Sequence, residues 1–322
     1  MTAGGGVELT IVIVNYRSWD KLNRCLASLA ARPDTVEIIV VDNVSGDGRF
    51  AAFAAEHSTV RCLENDGNWG FADGCNRGAR EARGELLLFL NPDAEDPGGG
   101  IAGLVAAARA HPEAAILTAR QVDENGRVQK VFDAFPSLAT LFGPTRALLR
   151  LVAPGRYPDP RGELAAFFEV DWVSGSAFLI RRSVFAALGG FCNGFWMYSE
   201  DVDLCRRVRD AGHAVAVAGS VTLLHAHGGA TRRDPETAAL TRSEVVVSRH
   251  FYASRHFGMG HAAAYHAALV ATRFMPALLA MLAAALGLGA IRALRVRAAM
   301  GRHLARYYRG VPSRGWRSRR AK

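Results

Sequence analysis

Three stretches decide the fold: LTIVIVNY at residues 9–16, VEIIVVDN at residues 36–43 and LLLFLNPD at residues 86–93. Each is an almost wholly apolar run of strand length that ends on polar residues. None alternates apolar with polar side chains, which is typical of parallel strands covered on both faces. The three stretches therefore predict the core of a buried parallel sheet.

Helical patterns separate these strands, and the alternation indicates an α/β fold with a doubly wound, mostly parallel sheet flanked by helices. The remaining predicted elements are helices at 20–30, 49–57, 71–82 and 200–211 and strands at 60–63, 170–173, 177–181, 214–217 and 221–225. Residues 120–168 contain many prolines and are predicted to form a variable insertion or acceptor-side region. Ligands of such sheets bind at the carboxyl ends of the strands.

The composition excludes several classes of protein. Of the 322 residues, 50% are hydrophobic and 21% are charged, which excludes wholesale disorder. The five cysteines form no CxxC pair or cluster, which argues against a disulfide framework and a cysteine zinc site and favours a reducing compartment. The N-terminal sequence MTAGGGVELT predicts neither a secretory signal nor an N-terminal anchor.

Basic residues are concentrated at the C-terminal end. No Asp or Glu follows Glu244, whereas residues 245–322 contain 14 Lys or Arg. A nucleic-acid-binding protein is expected to carry its basic patch and a recognisable motif on the main domain, and no such motif is present. The charge therefore predicts an anionic membrane surface as a partner, and no nucleic acid.

Two polar clusters could hold a nucleotide. Asp42 follows the second strand and can accept the imide N–H of a uracil or thymine, with Asn15 and Tyr16 at the end of the first strand beside it. Residues 65–78 (NDGNWGFADGCNRG) add Asn68 and Asn76 as donors to ribose or phosphate oxygens. This loop is not GxGxxG, which disfavours a nicotinamide dehydrogenase. A turn-forming Asx pair and a helix cap are the structural alternatives.

Two further clusters could hold a cation and a base. Asp93, with Asn91, follows the most apolar strand and offers oxygen ligands to Mg²⁺ or Mn²⁺; an ordinary turn is the alternative. Glu200, Asp201 and Asp203 lie in the first turn of a helix, where neighbouring negative charges raise the proton affinity of a general base; plain helix capping is the alternative. His225 ends a strand and can ligate a metal.

In this order, the motifs resemble family 2 glycosyltransferases of the GT-A fold, most closely the bacterial rhamnosyltransferases, over about residues 8–231. The resemblance rests on TIVIVNYRS, VVDNVSGDG, NxGNxGFAxGCNxG, LFLNPDAE, DWVSGSAFLIRRSVFAALGGF, FWMYSEDVDLCRR and LLHAHGGAT. It implies a nucleotide-sugar donor, either a dTDP- or a UDP-sugar, and a divalent cation.

The resemblance also implies a role for individual residues. Asp42 would contact the base, and Asn76 the ribose. Asp201, with Glu200, would form the catalytic pair that deprotonates the acceptor hydroxyl. His225 would complete the metal or diphosphate site.

Asn91-Pro92-Asp93 takes the place of the family's metal-binding Asp-x-Asp motif, in which Asn91 replaces the first carboxylate. This change lowers the expected affinity for a cation, and it leaves the resemblance to the family unchanged. On the acceptor side, the resemblance implies a wall formed by Trp172, Ser174 and Gly175, and Asp203 is expected there too.

Residues 274–291 are 18 uncharged, mostly apolar residues. That length is the lower limit for a helix that spans a bilayer. A single span would separate the basic tail from a cytosolic catalytic domain, against the positive-inside rule. We therefore expect a helix that lies on the cytoplasmic leaflet; a buried helix is the alternative.

Together these features predict a catalytic domain at 1–245 and a helical, basic, membrane-associated extension at 246–322. The predicted activity is inverting transfer of a sugar, with L-rhamnose from dTDP-rhamnose as the favoured donor, to a lipid-linked or polymeric cell-envelope glycan at the inner face of the cell membrane. Two alternatives stay open. A sugar nucleotidylyltransferase should carry an N-terminal Gly-rich triphosphate loop, which residues 9–20 lack; a non-catalytic binder would bind the donor without metal-dependent turnover.

Overall fold

The structure, a computed structural model, describes residues 6–155, 157, 159, 162, 164–226, 234–288 and 292–322. Its strands are β1 (Leu9–Asn15), β2 (Val36–Asp42), β3 (Arg61–Glu64), β4 (Leu86–Leu90), β5 (Ala94–Glu95), β6 (Ala114–Val122), β7 (Phe132–Asp133), β8 (Phe168–Glu169), β9 (Trp172–Val173), β10 (Ala177–Arg181) and β11 (Ala214–His225).

The helices are α1 (Trp19–Ser28), α2 (Phe50–Glu56), α3 (Phe71–Glu81), α4 (Gly100–Ala110), α5 (Leu138–Leu141), α6 (Gly143–Val152), α7 (Arg182–Ala187), α8 (Glu200–Asp210), α9 (Pro235–His256), α10 (Met259–Leu269), α11 (Met275–Ala283) and α12 (Arg292–Arg314). Two π-helical turns, Val270–Phe274 and Ala284–Leu288, follow α10 and α11.

The main sheet has the strand order β3-β2-β1-β4-β10-β6-β11-β5, and β8 pairs with β11. β1 pairs in parallel with β2 and β4, β2 with β3, and β6 with β11. β10 lies antiparallel between β4 and β6. The predicted α/β class, with a mostly parallel sheet flanked by helices and a helical C-terminal region, is confirmed.

The sheet is buried on both faces, as its unalternating strands predict. Ile11 and Ile13 of β1 belong to one apolar cluster with side chains of α1 and α4, whereas Val12 and Val14 belong to a second cluster with α3 and α8. Since successive residues of a strand point to opposite faces, such a strand must be apolar at nearly every position.

The structure revises two predicted regions. The segments 214–217 and 221–225 form one strand, β11, whose pairing with β6 shifts register between Ala218 and Thr222. Residues 120–168, predicted as a variable insertion or acceptor-side region, contain the end of β6 and also β7, α5 and α6. The prolines of this region concealed these short elements.

The chain divides into two compact units. The first comprises residues 1–135, 147–192 and 201–227, and the second residues 136–146, 193–200 and 228–322. The predicted domain boundary at residue 245 falls inside α9 of the second unit, and the division into catalytic domain and extension stays a prediction.

Among the described residues, one helical stretch, Met259–Leu286, is long and apolar enough to cross a bilayer. Its mean hydropathy is 1.9, and 17% of its most apolar window is buried. It begins earlier than the predicted segment 274–291, because the alanine-rich α10 runs into α11 without a break in the helix.

Candidate functional site

Most of the predicted site residues meet at one edge of the main sheet, where β1, β2 and β4 end. Asn15 and Asp42 are register partners at the ends of β1 and β2. Asn91 follows β4, and its N–H donates to the carbonyl of Ser176. β10 runs in the opposite direction to β4, so residues 174–176, which directly precede β10, lie at this same edge of the sheet.

Asp93 lies at the centre of a compact polar cluster. Its Oδ1 is 3.2 Å from Nε2 of His225, and its Oδ2 is 3.1 Å from Nζ of Lys21. Asn91 Nδ2 lies 3.4 Å from the same His225 nitrogen. The pairing of β5 with β11 brings His225 opposite Ala94, directly after Asp93. Three predicted metal-site residues, Asn91, Asp93 and His225, are therefore in contact.

Two opposing effects set the pKa of Asp93. Burial alone would raise it, but the hydrogen bond and charge of His225 and the ammonium of Lys21 outweigh burial and lower the pKa below the ordinary 3.8. Asp93 is thus an anion at neutral pH. Lys21 was not predicted in the site, because nothing in the pattern of α1 indicates that its side chain reaches Asp93.

Asp201 is held by main-chain donors. Its Oδ2 accepts a hydrogen bond from the N–H of Gly175 at 2.9 Å, and its Oδ1 accepts one from the N–H of Val202, the next residue, at 2.8 Å. Burial raises the pKa of Asp201, and these hydrogen bonds lower it by less. Gly175 precedes Ser176, the partner of Asn91, so that the predicted base and the Asp93 cluster are linked by contacts along one loop.

A polar network joins the ends of β1 and β2. Asp42, which has no exposed surface, accepts Asn15 Nδ2 at 2.7 Å, the Ser45 hydroxyl at 2.6 Å and the Ser45 N–H at 2.8 Å. Asn15 is equally buried. Contact of Asp42 with a nucleotide base therefore requires this network to open. Ser45, a partner of Asp42 that the sequence pattern did not reveal, therefore supplies two of the three hydrogen bonds that these contacts give the carboxylate.

Tyr16 and Asn68 lie at the surface of the same edge. Tyr16 is 42% exposed, and the guanidinium of Arg17 lies 5.3 Å from its ring centre. Asn68 is half-buried, and its side-chain oxygen accepts the N–H of Gly70, which precedes α3. Tyr16 is the predicted nucleotide-site residue with a large accessible face.

Two predicted ligand contacts are engaged inside the protein. Both ends of the Asn76 amide bind the main chain of Phe191, at 2.8 and 2.9 Å, instead of facing a ribose. Asp203, predicted on the acceptor side, is fully buried and pairs with Arg207 one helical turn later at 2.9 Å. In the structure Asn76 fastens α3 to the loop after α7, and Asp203 pairs with Arg207 within α8.

The other predicted acceptor residues lie around Gly175. Trp172 is half-buried and donates its indole N–H to the carbonyl of Ala134. The Ser176 hydroxyl donates to Gln121 Oε1 at 2.9 Å, and its oxygen lies 3.2 Å from the Ser174 hydroxyl oxygen. Gln121 is buried, and its Nε2 has no hydrogen-bond partner among the described residues, which marks a polar group that pattern analysis missed.

Glu200, predicted with Asp201 in the catalytic pair, belongs to the second unit and is buried. Of the four described residues other than glycine with positive φ, Tyr198 and Ser199 directly precede it, at 70° and 64°. The other two, Arg17 and Val44, follow β1 and β2 at 53° each. Such backbone strain concentrates at functional loops, and here it lies beside the predicted site residues.

The donor set is small for a metal ion. The described residues contain no group of three or more His, Cys, Asp or Glu side chains that could hold one. Asp93 and His225 offer one carboxylate and one imidazole, a pair that suits Mn²⁺ better than Mg²⁺ because imidazole is a poor magnesium ligand. The pair fits two positions of a cation that takes its other ligands from phosphates or water. The Gly-Gly turn predicted after His225 lies outside the described residues.

Comparison with known proteins identifies the family. Residues 10–189 match the model of glycosyl transferase family 2. The chain is 33% identical over 270 residues to an N-acetylglucosaminyl-diphospho-decaprenol L-rhamnosyltransferase of Mycobacterium tuberculosis, which covers 78% of this chain and 85% of the relative. It is 26% identical over 210 residues to the rhamnosyltransferase WbbL of Escherichia coli, covering 63% of this chain and 77% of the relative.

Solved structures show the same fold. The mannosyltransferase PcManGT of Pyrobaculum calidifontis, solved with GDP-Man and Mn²⁺, has a TM-score of 0.54 and 19% identity, covering 95% of this chain and 87% of its own. GalNAc-T7, solved with UDP, GalNAc and Mn²⁺, has a TM-score of 0.54 and 17% identity; the match covers 79% of this chain and 51% of that one. The expected GT-A architecture is confirmed, and the chain belongs to glycosyl transferase family 2 and is a glycosyltransferase.

Proposed function

We propose that the chain transfers a sugar, L-rhamnose in the first instance, from a nucleoside diphosphate to a hydroxyl of a lipid-linked or polymeric cell-envelope glycan, with inversion at the anomeric carbon. The names of the relatives support this substrate class. The observation that carries the proposal is the contact of Asp93 with His225 and Lys21 on the edge of the sheet that also holds Asp201.

Asp201 is the proposed general base. A raised pKa gives its carboxylate a higher affinity for the proton of an acceptor hydroxyl, and the N–H groups of Gly175 and Val202 fix its orientation. The acceptor oxygen would then attack the anomeric carbon from the face opposite the diphosphate. Trp172 and Ser174 flank Gly175 and form the proposed acceptor side; Asp203 is left out of it because of its burial.

The leaving diphosphate is proposed to face the Asp93 cluster. Asp93 and His225 would hold a divalent cation, which neutralises charge on departing phosphates when it is bound. The ammonium of Lys21, at 24% side-chain exposure, supplies a fixed positive charge from α1 at the same position. Tyr16 offers the exposed ring against which the base of the nucleotide can pack.

Membrane association is part of the proposal. The second unit exposes Leu279, Leu282 and Leu286 at 62%, 53% and 83%. A helix that presents such a face and is followed by a strongly basic segment is suited to the surface of an anionic bilayer. We propose that the protein is peripheral on the cytoplasmic face of the membrane, where nucleotide sugars are available.

The test is release of nucleoside diphosphate from a panel of nucleotide sugars, with lipid-linked acceptor and Mg²⁺ or Mn²⁺, with and without chelator. We expect dTDP-rhamnose to be turned over and Asp201→Asn to abolish turnover while it retains donor binding. Because the pKa of Asp201 is raised, turnover should fall on acidification through an apparent pKa above 3.8. Donor binding without turnover of any sugar nucleotide would contradict the proposal.

A further inference from the structure

A polar cavity lies within the second unit, between α9, α12 and the C-terminal segment that follows α12. Its volume is about 470 Å³. We call it the basic cavity, and it is lined by Leu240, Ser243, Glu244, Val247, His303, Arg306, Tyr307, Arg319 and Arg320. None of these residues belongs to the candidate active site.

Three guanidinium groups line the basic cavity. Arg306 comes from α12, and Arg319 and Arg320 come from the C-terminal segment. Within the described parts of the chain, none of the three forms an ion pair with a carboxylate. No Asp or Glu follows Glu244 in the sequence, so a carboxylate near these arginines must come from another element, as Glu244 of α9 does. A cavity that gathers three arginines against one carboxylate, Glu244, carries excess positive charge and favours an anion that accepts several N–H donors.

Specific contacts hold the C-terminal segment in place. Ser318 donates its hydroxyl to Glu244 at 2.9 Å, and Tyr307 donates to the carbonyl of Trp316 at 2.9 Å. The guanidinium of Arg320 lies 5.1 Å from the ring centre of Trp196. Arg319 and Arg320 are therefore presented by an anchored segment, which reduces the entropy lost when a ligand binds.

Glu244 is the acidic group in the lining. Burial raises its pKa to about 6, although the Ser318 hydroxyl and the charges of Arg320 and Arg314 lower it. At neutral pH the lining thus contains one carboxylate and three guanidinium groups, so its net charge is positive. Ser243 also lines the cavity, and its hydroxyl donates to the carbonyl of Ala239 in its own helix.

We propose that the basic cavity is a phosphate-binding site that takes the headgroup of a phosphorylated lipid. Phosphate offers the bidentate geometry that arginine matches. A lipid is favoured as the source because the same unit exposes the leucines of α11 and of the turn after it, which a bilayer can cover. The site lies outside the transfer machinery, and its test measures binding alone, so its failure would leave the proposed reaction untouched.

The test uses the full chain and two double variants of equal charge. Arg306→Gln with Arg319→Gln removes two cavity cations, whereas Arg309→Gln with Arg317→Gln removes two exposed arginines outside the lining. In calorimetry, soluble dihexanoyl phosphatidic acid should bind to the wild type. Its affinity should be at least about tenfold lower for the cavity variant and unchanged for the control variant. Dihexanoyl phosphatidylcholine should not bind to the wild type or to either double variant.

Other outcomes separate the sources of phosphate. Equal losses in the two double variants would show attraction by net charge alone and would overturn the site. Glycerol 3-phosphate carries the same phosphate without acyl chains, and we expect it to bind more weakly than dihexanoyl phosphatidic acid. If it binds equally well, the cavity takes soluble phosphate esters, and the assignment to a lipid is overturned.

Discussion

At the scale of single residues, the protein separates side chains that face ligand from side chains that hold the site together. Asp42, Asn76 and Asp203 are predicted to face ligand. In the structure, however, their side chains form hydrogen bonds or an ion pair with Ser45, Phe191 and Arg207, respectively. Sequence reasoning identified the polar residues but not their partners. Phe191 lies 115 positions from Asn76, beyond any local pattern, whereas Ser45 and Arg207 lie three and four positions from Asp42 and Asp203, where the local backbone conformation decides whether the pair forms.

Lys21 is expected to compete with a cation for Asp93, since its ammonium lies 3.1 Å from the carboxylate. Lys21→Met keeps the length of the side chain and removes the charge, so Mn²⁺ should bind about three- to tenfold more tightly. Mn²⁺ titration followed by electron paramagnetic resonance measures this. Arg24→Met, which breaks the neighbouring α1 pair with Glu95, is the control and should change nothing. Weaker or equal Mn²⁺ binding by Lys21→Met would show that Lys21 does not compete.

Glu244 is expected to cost stability at neutral pH. Its pKa is about 6 in the folded protein against an ordinary 4.5, so the folded state binds more protons between these values, and stability falls as pH rises through them. Above this window the cost is about 2 kcal/mol. Glu244→Gln should recover most of it in urea unfolding near about pH 8 and none near about pH 4. Glu236→Gln, exposed on the same helix, is the control; equal gains at both pH values would contradict the argument.

At the scale of elements, the close approach of α3 to the sheet positions the site. A Cβ at Gly74 would lie 2.7 Å from Cγ1 of Val14, and one at Gly78 would overlap Val12. The backbone of α3 can therefore lie against β1, while Asn43 of the loop after β2 donates to Gly70 at the start of the helix. The helical period of this segment was predicted from sequence, but the reason for its glycines appears only when β1 is packed beneath it.

Gly78→Ala should destabilise the first unit. Overpacking against Val12 costs about 1–3 kcal/mol, and the better helix propensity of alanine returns about 1 kcal/mol. Urea unfolding measures the net loss, and Val12→Ala in the same chain should reduce the penalty. Gly260→Ala in α10, where a Cβ meets nothing within 4 Å, is the control and should not destabilise. If Gly78→Ala and Gly260→Ala behave alike, the close packing of α3 is not required.

At the scale of the whole molecule, the two units carry different properties. The first contains the sheet and most of the candidate site, and the second contains the apolar helices and the basic residues of the C-terminal end. The charge asymmetry was legible from sequence, because it needs no knowledge of contacts. The assembly of residues 136–146, 193–200 and the C-terminal helices into one unit was not, because it joins segments far apart in the chain.

The exposed leucines of the second unit should drive membrane binding. Replacement of Leu279, Leu282 and Leu286 by Gln should lower co-flotation with vesicles of phosphatidylcholine and phosphatidylglycerol by at least about tenfold, since apolar burial is lost. Leu148→Gln with Leu151→Gln, at 58% and 79% exposure on α6, is the control. Equal flotation of the triple variant and the wild type would contradict a membrane role for this face.

The sequence by itself determined the class of fold, the core strands and the family, because apolar periodicity and ordered motifs are local properties of the chain. The tertiary structure decided which polar residues meet. Pairing of β5 with β11 brings His225 to Asp93, α1 brings Lys21 to the same carboxylate, and the reversed direction of β10 brings Gly175 to Asp201. These contacts depend on strand order and direction, which arise from the packing of the whole sheet and have no signature in any single segment.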